Sequence, residues 1–191
     1  MSLFQTLKPK PKHRGGGTCL LLDVSGSMES VVANDSEDGI EPRRIEVLFK
    51  AVRETPECVG LKAFTFSTNC RAIEVIPTEE EAMQYATHGG TDLARAFTTV
   101  KEAGFYSAIL VTDGEPDSEA AALQAATGMK LGIIYIGNPP VPSFLQTLAD
   151  ATEGTFQLAD MRDVKQLEAA IAGALPPPDP DKPPEGGAIS L

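Results

Sequence analysis

Two rhythms of apolar residues alternate along this chain. Runs that are apolar at nearly every position, at 18–24, 107–112 and 130–136, predict β-strands buried on both faces. Between them the spacing changes. Ile45, Leu48, Phe49 and Val52 recur at i, i+3, i+4 and i+7, which predicts a helix over 43–54, with Pro42 just ahead of it where helices tolerate proline. Leu61 and Ala63 flank Lys62 and lead into Phe64-Thr65-Phe66, a strand over 60–67; 72–76 follows as a short strand, antiparallel at the sheet edge. A short helix is expected at 79–85. Leu93, Ala96, Phe97 and Val100 form one stripe of a helix over 92–103, with Asp92 placed to cap its N-terminus. Further helices are expected at 118–126, 143–151 and 163–173, the last two flanking a short strand at 155–158. Buried strands alternating with helices predict an α/β fold of three layers, a mostly parallel sheet covered on both faces. In such sheets ligands sit beyond the carboxyl ends of the strands, where strand order reverses. The first strand and the 107–112 strand are expected to be neighbours at that point.

The two ends depart from this pattern. Residues 1–17 carry Lys8, Lys10, Lys12 and Arg14 between prolines and close on Gly15-Gly16-Gly17, a flexible basic arm. Residues 175–191 open on Pro176-Pro177-Pro178-Asp179-Pro180 and cannot bury enough apolar surface to offset their ordering entropy, so they are expected to form a Pro-rich tail. One domain is left, at 18–174. With 191 residues, 42% of them apolar, the chain can bury an ordinary core. Its net charge of −11 argues against nucleic acid and against an anionic membrane surface as partners. No run approaches the length of a membrane span, and the first residues lack the apolar stretch of a signal peptide, so a cytoplasmic protein is expected. Three cysteines without metal-like spacing fit buried free thiols.

Three short segments carry the candidate chemistry: Asp23-Val24-Ser25-Gly26-Ser27, Gly90-Thr91-Asp92 and Thr112-Asp113-Gly114. The first and third each follow a buried strand. All three offer hydroxyl and carboxylate oxygens, hard ligands that suit Mg²⁺, Mn²⁺ or Ca²⁺ rather than zinc. Alternate residues of Asp23-x-Ser25-x-Ser27 can turn several oxygens toward one ion if Gly26 lets the loop curl, and Thr91 and Asp113 can complete the set. If the two aspartates act through water, the direct ligands are neutral hydroxyls. The ion then keeps most of its charge, and a partner's carboxylate would complete it. Other schemes fit less well. A phosphatase of the haloacid-dehalogenase kind would need a second Asp where Ser25 stands. An EF-hand would need Gly and Glu where Met28 and Asn34 stand. There is neither a phosphate-binding Gly-x-x-x-x-Gly-Lys loop nor a Gly-x-Ser-x-Gly elbow, and no nucleophile–base pair is evident, so an enzyme is not expected.

The order Asp-x-Ser-x-Ser, then Thr, then Asp resembles the metal-ion-dependent adhesion site of von Willebrand factor A-type domains, over roughly 17–173. The resemblance implies a Rossmann-like fold with a central, mainly parallel six-stranded sheet. It implies Mg²⁺ held by Asp23, Ser25, Ser27, Thr91 and Asp113, and recognition of a partner protein through an Asp or Glu side chain. Glu29, His88, Gly90, Asp92 and Glu115 would form the rim. The chain is similar to stand-alone prokaryotic A domains, which implies an adaptor in a stress-response complex, tellurium-resistance-like, or one linked to an AAA ATPase. The stretch 29–44 is long for the family and holds Glu29, Asp35, Glu37, Asp38 and Glu41. It reads as a solvated acidic loop; the alternatives are that it rims the metal face and selects a basic partner surface, or occludes the site with its own carboxylate. A metal-assisted phosphatase and a structural subunit assembled through the tails remain the alternatives.

Overall fold

The computed structural model describes residues 17–32 and 41–176. The arm before Gly17, the tail beyond Pro176, and Asp35, Glu37 and Asp38 of the acidic stretch lie outside the described residues.

Six strands form one sheet: β1 (Thr18–Asp23), β2 (Ala63–Phe66), β3 (Cys70–Ile73), β4 (Ser107–Thr112), β5 (Lys130–Tyr135) and β6 (Thr155–Leu158), in the order β3-β2-β1-β4-β5-β6. All neighbours are parallel except β2 and β3. The chain builds outward from β1 in one direction and then, from β4, in the other. The expected reversal point therefore lies between β1 and β4, which pair in register from Thr18↔Ser107 to Leu22↔Val111. The helices are α1 (Arg44–Glu54), α2 (Glu79–Ala82), α3 (Leu93–Glu102), α4 (Glu119–Ala126), α5 (Ser143–Ala151) and α6 (Val164–Ala174).

Side chains leave a strand alternately to its two faces, and the core divides accordingly. Leu20 and Leu22 of β1 join Ile109 and Val111 of β4 in a cluster closed by Leu48 and Phe49 of α1 and Ile171 of α6. Cys19 and Leu21 face the other way, with Leu110 and Ile133, onto Phe97 of α3 and Leu145 and Leu148 of α5. Both faces of β1 are thus dry, which explains its unbroken apolar run. All three cysteines are free; Cys19 and Cys58 are buried and Cys70 half-buried. Burial pushes the Cys19 and Cys58 thiols up to about 12 and Cys70 to about 11, so none is a ready nucleophile at neutral pH.

The structure shifts one strand. The antiparallel edge strand runs over Cys70–Ile73 and not 72–76, because its register is fixed by the tight return from β2, Phe66↔Cys70 through Ala63↔Ile73. Val75, which drew the expectation onward, lies past the ladder and is 76% exposed. Two 3₁₀ turns, Gly26–Glu29 and Pro56–Cys58, were not predicted; turns this short carry no readable period.

Candidate metal centre

The carboxyl ends of β1 and β4 bring Asp23 and Asp113 side by side at the reversal point. Asp23 is the last residue of β1 and is wholly buried. One of its oxygens, Oδ1, accepts the Ser25 N–H at 2.8 Å; the other, Oδ2, accepts the Thr112 hydroxyl at 2.5 Å. Burial raises its pKa to about 6, against the lowering effect of the Ser25 and Thr112 hydrogen bonds. Its carboxylate is therefore used within the chain, holding the turn that follows. That turn is the 3₁₀ segment Gly26–Glu29, which brings the Ser25 and Ser27 hydroxyls within 3.1 Å of each other. The Gly26 N–H donates to the Gly89 carbonyl at 3.2 Å, and the Thr87 N–H to the Val24 carbonyl at 3.0 Å. The loop ahead of α3 is thereby stitched to the Ser25–Ser27 turn.

Asp113 is likewise committed twice. The Ser27 hydroxyl donates to its Oδ1 at 2.6 Å, and Arg44 Nη1 lies 2.5 Å from its Oδ2. The Arg44 side chain is only 13% exposed and that of Asp113 is fully covered. Thr91 is buried, and its hydroxyl lies 3.6 Å from where a Cβ on Gly114 would stand, hard against the end of β4. Asp117 fixes it there: the Thr91 N–H donates to Asp117 Oδ1 at 3.1 Å, and the Asp117 N–H returns to the Thr91 carbonyl at 3.0 Å. Gly90 allows this approach, since a Cβ there would stand 2.4 Å from Asp117 Oδ1.

The five expected ligand residues thus gather at one end of the sheet. Ser25, Ser27 and Thr91 present hydroxyls, and the two aspartates orient the parts around them. Among the described residues the Thr91 hydroxyl has no hydrogen-bond partner, and no three His, Cys, Asp or Glu side chains converge as a metal cluster. A neutral, hard-oxygen set of this kind fits Mg²⁺ or Mn²⁺ with several waters retained.

The expected rim separates into parts. Glu29 Oε1 lies 3.2 Å from His88 Nδ1, and the His88 side chain is 94% exposed. Glu115 is exposed. Asp92 points elsewhere: its carboxylate caps α3 by accepting the Arg95 N–H at 2.9 Å. Three residues of the site are given no role by the sequence. Thr112 stands in one of the three segments and could have been assigned one, as the residue before Asp113 in a strand ending beside Asp23. Arg44 and Asp117 could not, because their partners lie 69 and 26 positions away.

Solved structures share this arrangement of strands and helices. The von Willebrand factor type A protein from Catenulispora acidiphila superposes with a TM-score of 0.58 at 17% identity, over 82% of this chain and 41% of that one. The chain adopts the von Willebrand factor A fold. The manganese-loaded TRAP protein of Plasmodium vivax matches with a TM-score of 0.53 at 18% identity, over 81% of this chain and 70% of that one. Proximal thread matrix protein 1 of the mussel byssus, with zinc at its MIDAS motif, gives 0.54 at 16% identity, over 83% of this chain and 46% of that one. The chain thus spans less than half of the Catenulispora and mussel proteins. No family model and no curated protein sequence matches it. No helix of the A fold here is long and apolar enough, among the described residues, to cross a membrane.

Proposed function

We propose that this A domain is a divalent-metal-dependent protein-binding module. Ser25, Ser27 and Thr91 hold a Mg²⁺ ion directly, with Asp23 and Asp113 orienting them, and an Asp or Glu of a partner protein completes the ion. One observation carries the reading: both carboxylates are spent on hydrogen bonds and an ion pair within the chain, so only neutral hydroxyls remain to face a cation. An ion so held supplies an electropositive anchor for an incoming carboxylate. The manganese and zinc carried by two proteins of the same fold support a divalent site, and the hard donors favour Mg²⁺ and Mn²⁺.

The same geometry weighs against the phosphatase alternative. A nucleophilic aspartate needs a free oxygen aimed at solvent, whereas Asp23 is wholly buried with both oxygens occupied. A finer reading follows the likeness to stand-alone prokaryotic A domains: a cytoplasmic adaptor in a stress-response or AAA-ATPase-linked complex, with the arm at 1–17 and the tail at 175–191 flanking the binding domain. The experiment is calorimetric titration of the full chain with Mg²⁺ and Mn²⁺, alone and with a short peptide bearing one glutamate. Wild type should bind the metal and, only with metal, the peptide. Thr91→Ala and Asp113→Ala should lose both while keeping the native circular dichroism. Peptide capture that persists in EDTA would sink the proposal.

A further inference from the structure

Two arginines open α1, and they do different things. The Arg43 guanidinium donates through Nη1 to the Glu29 carbonyl at 2.9 Å, stapling the helix to the 3₁₀ turn. Arg44 is held at its backbone by donating to the Ser30 carbonyl at 3.0 Å, and its guanidinium reaches across to Asp113 Oδ2. It also borders an open groove of about 570 Å³ lined by Val31, Tyr135 and Leu158. A cation of this chain thus stands between the candidate metal centre and the surface beside it.

The charges make this consequential. A guanidinium carries only donors, so it cannot ligate a metal; it repels one and occupies the oxygen through which Asp113 would attract it. Asp23, Asp113 and the neighbouring Asp117 bring three carboxylates to the centre, and the Arg44 guanidinium offsets one of them. A divalent ion placed there meets Arg44 as well as the carboxylates, so the guanidinium weakens its hold on the ion and favours a further carboxylate from outside. Without Arg44 the centre is one unit more negative, which favours the ion alone and disfavours an added carboxylate. Removing a charge of one sign from a partly buried site shifts the affinity for the other sign in a predictable direction.

We propose that Arg44 is the specificity-determining residue of this centre, a built-in cation that holds down affinity for metal alone and makes the ion and an acidic side chain bind as a pair. The inference rests on the metal-binding reading of the site and deepens it. The partner class that follows is a protein presenting a single unpaired Asp or Glu.

The test titrates the full chain with Mg²⁺ by calorimetry, with and without saturating acetate as the carboxylate probe. In wild type, acetate should tighten Mg²⁺ binding. Arg44→Gln should bind Mg²⁺ alone roughly tenfold more tightly, within the usual range of coupling between two ligands, and acetate should then add little. Arg44→Met reads the same if the amide disturbs folding, and Arg44→Lys, which keeps the charge, should resemble wild type. Mg²⁺ affinity that is unchanged or weaker in both Arg44→Gln and Arg44→Met overturns the inference, since Arg44 would then only orient Asp113, and leaves the metal site standing. Absence of Mg²⁺ binding in wild type and every variant, with acetate or without, overturns the metal reading and this inference together.

Discussion

Asp23 is where the physical chemistry of single residues is most exposed. A carboxylate wholly buried at a strand end would ordinarily be neutral, yet here two donors hold it in place, and its pKa settles at about 6. Because that value lies above the 3.8 of the unfolded chain, the native state binds this proton more tightly. The resulting penalty is absent below about pH 4, grows as pH rises, and is complete above about 6. For a fully buried group it amounts to roughly 3 kcal/mol at neutral pH in metal-free protein. Asp23→Asn removes the titration. Its stability relative to wild type, from urea unfolding in EDTA, should rise between pH 4 and pH 7 by up to that amount. A difference that stays flat across this range would show that Asp23 does not titrate there. Carboxylates elsewhere, such as Glu79 beside Arg53 and Asp160 beside Arg162, have lowered pKa values and act oppositely. Only the difference between variant and wild type is therefore diagnostic.

At the scale of elements, tight joints explain where the chain tolerates change. After α5 the chain turns through Glu153, at φ 50°, and Gly154 into β6. A Cβ on Gly154 would stand 1.8 Å from the Leu131 carbonyl oxygen, in the backbone of β5, which cannot move without breaking the ladder. Gly154→Ala should therefore cost about 3 kcal/mol or more, measured by chemical denaturation. Gly128, at φ 80° with nothing near its missing Cβ, makes the contrast: there alanine should cost only about 1 kcal/mol of backbone strain. Equal losses at the two positions would refute this account. The elements themselves were legible to different degrees. The stripes of α1 and α3 and the dry runs of β1 and β4 are one-dimensional signals and were found close to their bounds. The edge strand was misplaced because a hairpin's register, and not the local apolar pattern, sets which residues pair.

At the scale of the whole molecule, the candidate centre joins parts distant in sequence: the ends of β1 and β4, the loop before α3, and the first residue of α1. These parts separate when the chain unfolds, so metal held there should stabilise the fold as a unit. At a hundredfold excess over Kd, Mg²⁺ should add about 2.7 kcal/mol to global stability. Thermal melts of wild type with and without Mg²⁺ read this directly, and Thr91→Ala should show no shift. A metal-dependent shift of the same size in Thr91→Ala would place the ion elsewhere.

Sequence alone determined the layered α/β architecture and offered the candidate oxygen donors, because burial on both faces of a strand and the spacing of Asp23, Ser25 and Ser27 are local properties. The nearness of Asp113 to Asp23 was legible from the expected pairing of their two strands, whereas that of Thr91 rested on its oxygen chemistry and the family resemblance. The tertiary structure alone decided how the oxygens are used. Asp23 is shared between Ser25 and Thr112, Asp113 between Ser27 and Arg44, and Asp117 sets Thr91. Each of these pairings except that of Asp23 with Ser25 spans at least 26 residues, and such closures are set by sheet order and loop packing, which no local pattern of residues records.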